Sequence, residues 1–136
     1  MILTATTFYA LLLLPLWLTL FMRISVRRGS LGLSFGDGGD TQLLLRIRQH
    51  GNFVEWVPLV LLLMLLAELQ GIGIVWLHLA GALLVLGRLA HPFGLVAGNA
   101  GHPLRYLGNG ANLLATAILA AGLCIRLAAA ITLPPT

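Results

Sequence analysis

Apolar residues dominate four stretches of the chain, at residues 3–22, 43–69, 72–90 and 106–133. Each reaches the roughly 20 residues that a helix needs to cross the hydrocarbon core of a bilayer. The second is interrupted by polar residues in its first third. Pro15 falls inside the first, where a kink is tolerable in lipid. Two prolines among residues 133–136 predict the end of the fourth helix. The first connection, 29–40, contains the turn-forming run Gly36-Asp37-Gly38-Gly39-Asp40. The second, 70–73, is so short that spans two and three form a tight helical hairpin. The third holds Gly94, Gly98, Asn99, Gly101 and Pro103 and reads as a mobile loop. Span four is rich in small residues, among them Ala111, Ala115, Ala120 and Gly122, which let helix backbones approach closely in lipid.

Composition turns this pattern into a class. Of 136 residues, 59% are hydrophobic and 9% charged, against about 25% charged in a soluble domain. So few charges cannot cover a water-facing surface, and the same numbers exclude disorder. The expected fold is an all-α integral membrane protein, one domain over residues 1–136, built as a bundle of four transmembrane helices. The basic residues are all arginines, and they form no run that would track a phosphate backbone, so nucleic acid is not an expected partner. Cys124 is the only cysteine, which rules out an intramolecular disulfide and a cysteine-based zinc site; no metal site is expected. In its apolar run Cys124 reads as a small buried hydrophobe.

The arginines also set an orientation. Arg23, Arg27 and Arg28 follow the first span, the reverse of a cleavable signal. Connection one carries these three and Arg46 and Arg48 when both of its flanks are counted, connection two carries no arginine, and connection three is flanked by Arg88 and Arg105. The positive-inside rule puts connections one and three in the cytoplasm and both termini outside.

Ionisable groups in membrane helices are expensive, so each is a functional hypothesis. Arg48, Asn52 and Glu55 lie at i, i+4 and i+7 on one face of the second helix. Arg88 and His91 lie at i and i+3 near the end of the third. Arg105, Asn109 and Asn112 repeat the i, i+4, i+7 spacing at the start of the fourth, and Arg23 and Arg27 close the first. All four sets fall on the cytoplasmic side. The opposite side offers Glu68, His78 and Arg126. Each set also has a structural reading: topology-setting arginines that snorkel to headgroups, an Arg88 paired with a carboxylate to close the bundle, an Asn112 bonding between helices, a Glu68 and Arg126 that pair or face water. Glu55 is the hardest to read as structural, since an arginine and an asparagine share its face beside an apolar run. Several arginines suit carboxylates, and one carboxylate among them suits an amine on the same ligand. A small zwitterion with excess negative charge fits, and glutathione is one.

The stretch Arg48-Gln49-His50-Gly51-Asn52-Phe53-Val54-Glu55-Trp56-Val57-Pro58-Leu59 resembles the second-helix signature of the MAPEG family, the membrane-associated proteins in eicosanoid and glutathione metabolism. Gly87-Arg88-Leu89-Ala90-His91-Pro92-Phe93-Gly94 resembles its third-helix signature, and Gly36-Asp37-Gly38-Gly39 resembles a loop of bacterial members. The resemblance implies a left-handed four-helix bundle assembled as a homotrimer in a bacterial inner membrane. It implies glutathione as co-substrate, bound between neighbouring subunits near the cytoplasmic face, with lipophilic substrates arriving from the membrane lipid. Arg23, Arg48, Asn52, Glu55 and His91 match glutathione-contacting positions, and Arg105 matches the arginine that activates the thiol. The implied activity is that of a glutathione transferase or peroxidase. Gly51, Phe93, Leu95, Tyr106 and Asn109 depart from the mammalian members, which argues against eicosanoid synthesis. Two other classes stand beside this one. A small proton-coupled multidrug exporter would use Glu55 for proton exchange. A family member without catalysis would serve as a structural or lipid-binding protein.

Overall fold

A computed structural model describes residues 3–132. It contains four helices, α1 (Thr4–Leu31), α2 (Thr41–Leu69), α3 (Ile74–Gly94) and α4 (Pro103–Thr132), each long and apolar enough to cross a membrane. The prolines expected to end the last helix lie outside the described residues. The helices are longer than the apolar runs that predict them. α1 continues nine residues past the first run, through its arginines to Leu31. At about 1.5 Å per residue, the 28 to 30 residues of α1, α2 and α4 span roughly 42–45 Å, against a hydrocarbon core of about 30 Å. The surplus turns carry the arginines beyond the apolar layer.

The ends are made locally. Gly32 adopts φ 66, and Leu33 N–H reaches back to the Arg28 carbonyl at 3.0 Å, which closes α1. Asp40 caps α2 through Oδ1, which accepts the Leu43 N–H at 2.6 Å. The same carboxylate grips Arg27 on α1, with Nη2 to Oδ2 at 2.6 Å and Nε to Oδ1 at 3.3 Å. One aspartate thus starts α2 and ties it to the end of α1. Pro103 occupies the first turn of α4, where a missing N–H costs nothing.

The α1 N-terminus has no cap of its own, and a residue of α2 supplies one. Glu68 accepts the N–H groups of Ala5 at 2.9 Å and Thr6 at 2.8 Å, and the Thr4 hydroxyl at 3.5 Å. A carboxylate there satisfies orphan donors and complements the positive end of the helix. This corrects the expectation that Glu68 pairs with Arg126 or faces water. Arg126 instead donates to the Gly71 carbonyl at 2.7 Å and holds the α2–α3 hairpin turn against α4.

Helices α2 and α3 form the centre. α1 packs on both, α4 packs on α3 and α2, and α1 and α4 do not touch. The core between them is apolar: Tyr9, Leu13, Phe53, Met64, Leu84 and Leu119 are buried. The α3–α4 contact is the most extensive, because glycines let the backbones meet. A Cβ on Gly94, the last residue of α3, would collide with the Arg105 backbone nitrogen, so this glycine belongs to the helix packing and not to the loop. Cys124 is exposed on α4 rather than buried, since this chain brings no helix over that face.

A buried arginine at the junction of three helices

At the end of the bundle where α2 and α4 begin and α3 finishes, the polar residues converge on Arg88. Its side chain is 1% exposed. One guanidinium nitrogen, Nη1, donates to the Asn52 side-chain oxygen and to the Asn52 carbonyl at 3.3 Å. The other, Nη2, donates to the Gly108 carbonyl at 3.4 Å and to Asn109 Oδ1 at 3.3 Å. The guanidinium carbon lies 5.9 Å from the Trp56 ring centroid, within cation–π range. Arg88 therefore joins α2, α3 and α4 through neutral dipoles. Among the described residues the ion pairs are Arg27–Asp40 and Arg48–Glu55, so the expected carboxylate partner of Arg88 is replaced by two asparagines and two carbonyls.

The neighbouring positions are polar but structural. Asn112 is buried and its Nδ2 donates to the Gly108 carbonyl at 2.8 Å, within α4 and not to another helix. Gln49 is buried on α2 and donates from Nε2 to the Pro92 carbonyl of α3 at 2.8 Å. Sequence reading passed over Gln49; a polar side chain inside an apolar span, one turn before the phenylalanine that packs in the core, was the available signal. It also missed that Asn52 and Asn109 share a partner, because residues 57 positions apart give no local periodicity.

The six residues singled out by sequence differ in exposure and in partners. Arg48 and Glu55 lie together on α2, 4.0 Å apart and 60% and 56% exposed, an accessible cation beside an accessible anion. Asn52 sits between them in sequence, half-buried, and its side-chain oxygen is committed to Arg88. His91 is buried on α3 against Gly108, close enough to Arg88 and Arg105 for both charges to act on it. Arg105 is half-buried at the start of α4, where Nη1 donates to the Ala100 carbonyl at 3.3 Å. Arg23 stands apart. It is exposed on α1 and lies beside Arg46, whose position on α2 is nearly opposite to Arg48 around the helix. Within one chain, Arg23 does not join the other five.

A four-helix membrane bundle with a buried arginine tying together three helices, and an exposed arginine–glutamate pair next to it, defines the class. The chain belongs to the MAPEG family, whose model matches residues 2–125. It is similar to the inner membrane protein YecN of Escherichia coli K12, at 42% identity over 62 residues, covering 46% of this chain and 47% of that protein. The YecN protein of Escherichia coli O6:H1 matches to the same extent. The chain thus aligns with about half the length of these curated relatives. No solved structure matches it at comparable significance.

Proposed function

We propose that this protein is a glutathione-dependent transferase or peroxidase of the bacterial inner membrane, acting on lipophilic electrophiles or hydroperoxides. Family membership and the similarity to an inner membrane protein support the setting. The observation that carries the reading is the Arg48–Glu55 pair, 4.0 Å apart and open to a ligand. A guanidinium suits a carboxylate of the tripeptide, and the glutamate suits its amine. Asn52, fixed from behind by Arg88, adds peptide recognition. His91, buried on α3 within reach of the Arg105 charge, completes the proposed contact set. The ion pair with Arg48 also sets Glu55 apart from a lone proton-exchanging glutamate, which favours this reading over an exporter.

Arg105 is the proposed activator. A cysteine-type thiol has an unperturbed pKa of about 8.5, and a guanidinium beside the sulfur favours the thiolate. Attack on an electrophilic carbon forms a thioether, with a leaving group departing with its electron pair in a displacement, or with a π bond broken and the resulting carbanion taking up a proton in a conjugate addition. Reduction of a hydroperoxide consumes two thiols and yields the disulfide, an alcohol and water. Arg23 completes this site only if a neighbouring copy contributes it, as the homotrimer implied by the resemblance would allow. The positive-inside rule puts the site on the cytoplasmic side and the termini outside.

The test is a titration of the detergent-purified protein with glutathione, following ultraviolet thiolate absorbance near neutral pH. Saturable thiolate formation, lost in Arg105→Ala, is the expected result. A folded wild-type protein without the signal overturns the reading, and an undiminished signal in Arg105→Ala removes the activator.

A further inference from the structure

Arg23 and Arg46 take no part in the Arg88 junction and form no ion pair among the described residues. They line a groove of about 460 Å³ on the outer face of α1, together with Leu18, Thr19, Met22 and Val26. Arg46 is not a free surface side chain. Its Nη1 donates to the Arg23 carbonyl at 2.9 Å, and its Nε has no acceptor in the protein. The contact holds one guanidinium over the helix turn that bears the other.

The depth of the groove is informative. Arg23 lies nineteen residues along α1 from Thr4, about 29 Å at the helical rise. That equals the hydrocarbon thickness of about 30 Å. With the capped start of α1 taken at one edge of the hydrocarbon, the Arg23 backbone reaches the other, and its long side chain extends toward the lipid phosphates. Leu18 and Met22 lie on the membrane side of the arginines, where an acyl chain runs. The groove is therefore cationic at phosphate depth and apolar below it.

We propose that the Arg23–Arg46 groove is a binding site for one anionic phospholipid, its phosphate held by the two guanidinia and an acyl chain laid along Leu18 and Met22. Charge complementarity selects this occupant. Two adjacent cations, neither held in an ion pair, favour a lipid of net negative charge over a zwitterionic one, whose own amine cancels part of the attraction. Arginine also offers paired N–H donors matched to a phosphate diester. Arg48, which already has Glu55, does not provide the same surplus. The site shares Arg23 with the glutathione reading and is separated from it by Arg46, a residue with no part in that reading, so loss of lipid in Arg46→Gln with the glutathione thiolate signal intact tells the two apart.

The experiment is native mass spectrometry of the detergent-solubilised protein with an equimolar mixture of phosphatidylglycerol and phosphatidylethanolamine, and in a separate arm with inorganic phosphate alone. The expected result is selective retention of phosphatidylglycerol, reduced at least fivefold in Arg46→Gln and unchanged in Arg48→Gln. Met22→Trp keeps both guanidinia but fills the groove, and it is expected to reduce retention as well; it serves where Arg46→Gln fails to fold. Equal retention of the two lipids, or a loss in Arg48→Gln as large as in Arg46→Gln, overturns the proposal. Saturable binding of inorganic phosphate that Met22→Trp leaves intact also overturns it, since the site would then read a free anion and not a lipid.

Discussion

Gly87 and Gly108 face each other across α3 and α4 with no room for a side chain on either. A Cβ on Gly87 would lie 2.7 Å from the Gly108 carbonyl oxygen, and one on Gly108 would lie 2.8 Å from that of Gly87. Both obstacles are backbone, which cannot swing aside. The same approach brings the Gly108 carbonyl within reach of Arg88. Gly108→Ala is expected to part the helices and weaken the Arg88 junction at once, at about the 1–3 kcal/mol of overpacking. Gly110 on the same helix has nothing within 4 Å, so Gly110→Ala gains helix propensity and is expected to be neutral or slightly stabilising. Thermal unfolding in detergent compares the two; an equal melting temperature for both variants would refute the close-packing argument.

Arg88 holds α2 and α4 through the two asparagines. Replacing it with methionine keeps the length and removes the donors, leaving the Asn52 and Asn109 side-chain oxygens without that partner, at about 1–3 kcal/mol for each buried group that stays unsatisfied. Arg88→Lys is expected to rescue little, because one ammonium cannot reach both α2 and α4 as the planar fork does. A double-mutant cycle of Arg88→Met with Asn52→Ala reads the coupling directly. Additive losses would show that the two residues act independently.

Glu68 sets the start of α1 from the far end of α2. Glu68→Ala is expected to cost about 1 kcal/mol, the usual worth of a helix cap, and to speed hydrogen exchange at the amides of Ala5 and Thr6. Glu68→Gln keeps one carbonyl oxygen and is expected to protect one of the two amides. Unchanged exchange at both amides in Glu68→Ala would mean that water replaces the cap without loss.

Much of this architecture is legible in the sequence, and the parts that are not share a cause. Four apolar runs give four helices, since lipid demands internal hydrogen bonding over a fixed thickness. The i, i+4, i+7 spacing correctly puts Arg48 and Glu55 together, because that contact is made within one helix. Partners on different helices leave no such mark. Glu68 finds Ala5 and Thr6 more than sixty residues away, and Arg88 finds asparagines instead of a carboxylate. Helix length is equally hidden: α1 runs on through Arg23, Arg27 and Arg28, because charged residues end an apolar run without ending a helix.

The Asp40 clamp gives the turn between α1 and α2 a defined response to acid. The Arg27 guanidinium, then the Leu43 N–H, hold the Asp40 carboxyl below its ordinary range, which is about 3.9 in an unfolded chain. A depressed folded-state pKa means that the unfolded chain takes up the proton first. The stabilisation is therefore complete above the unfolded value and is lost as pH falls through the folded one. Because Asp40 both caps α2 and binds Arg27, its protonation is expected to loosen the 33–40 turn and the first turn of α2 together. Limited proteolysis of that turn with an acid-active protease between pH 2 and 6 is expected to show protection down to below about pH 4 and a rise in cleavage beneath it. In Asp40→Asn the charge is absent at every pH, so cleavage is expected to be high and flat across the range. A wild-type profile as flat as that of Asp40→Asn would refute the clamp.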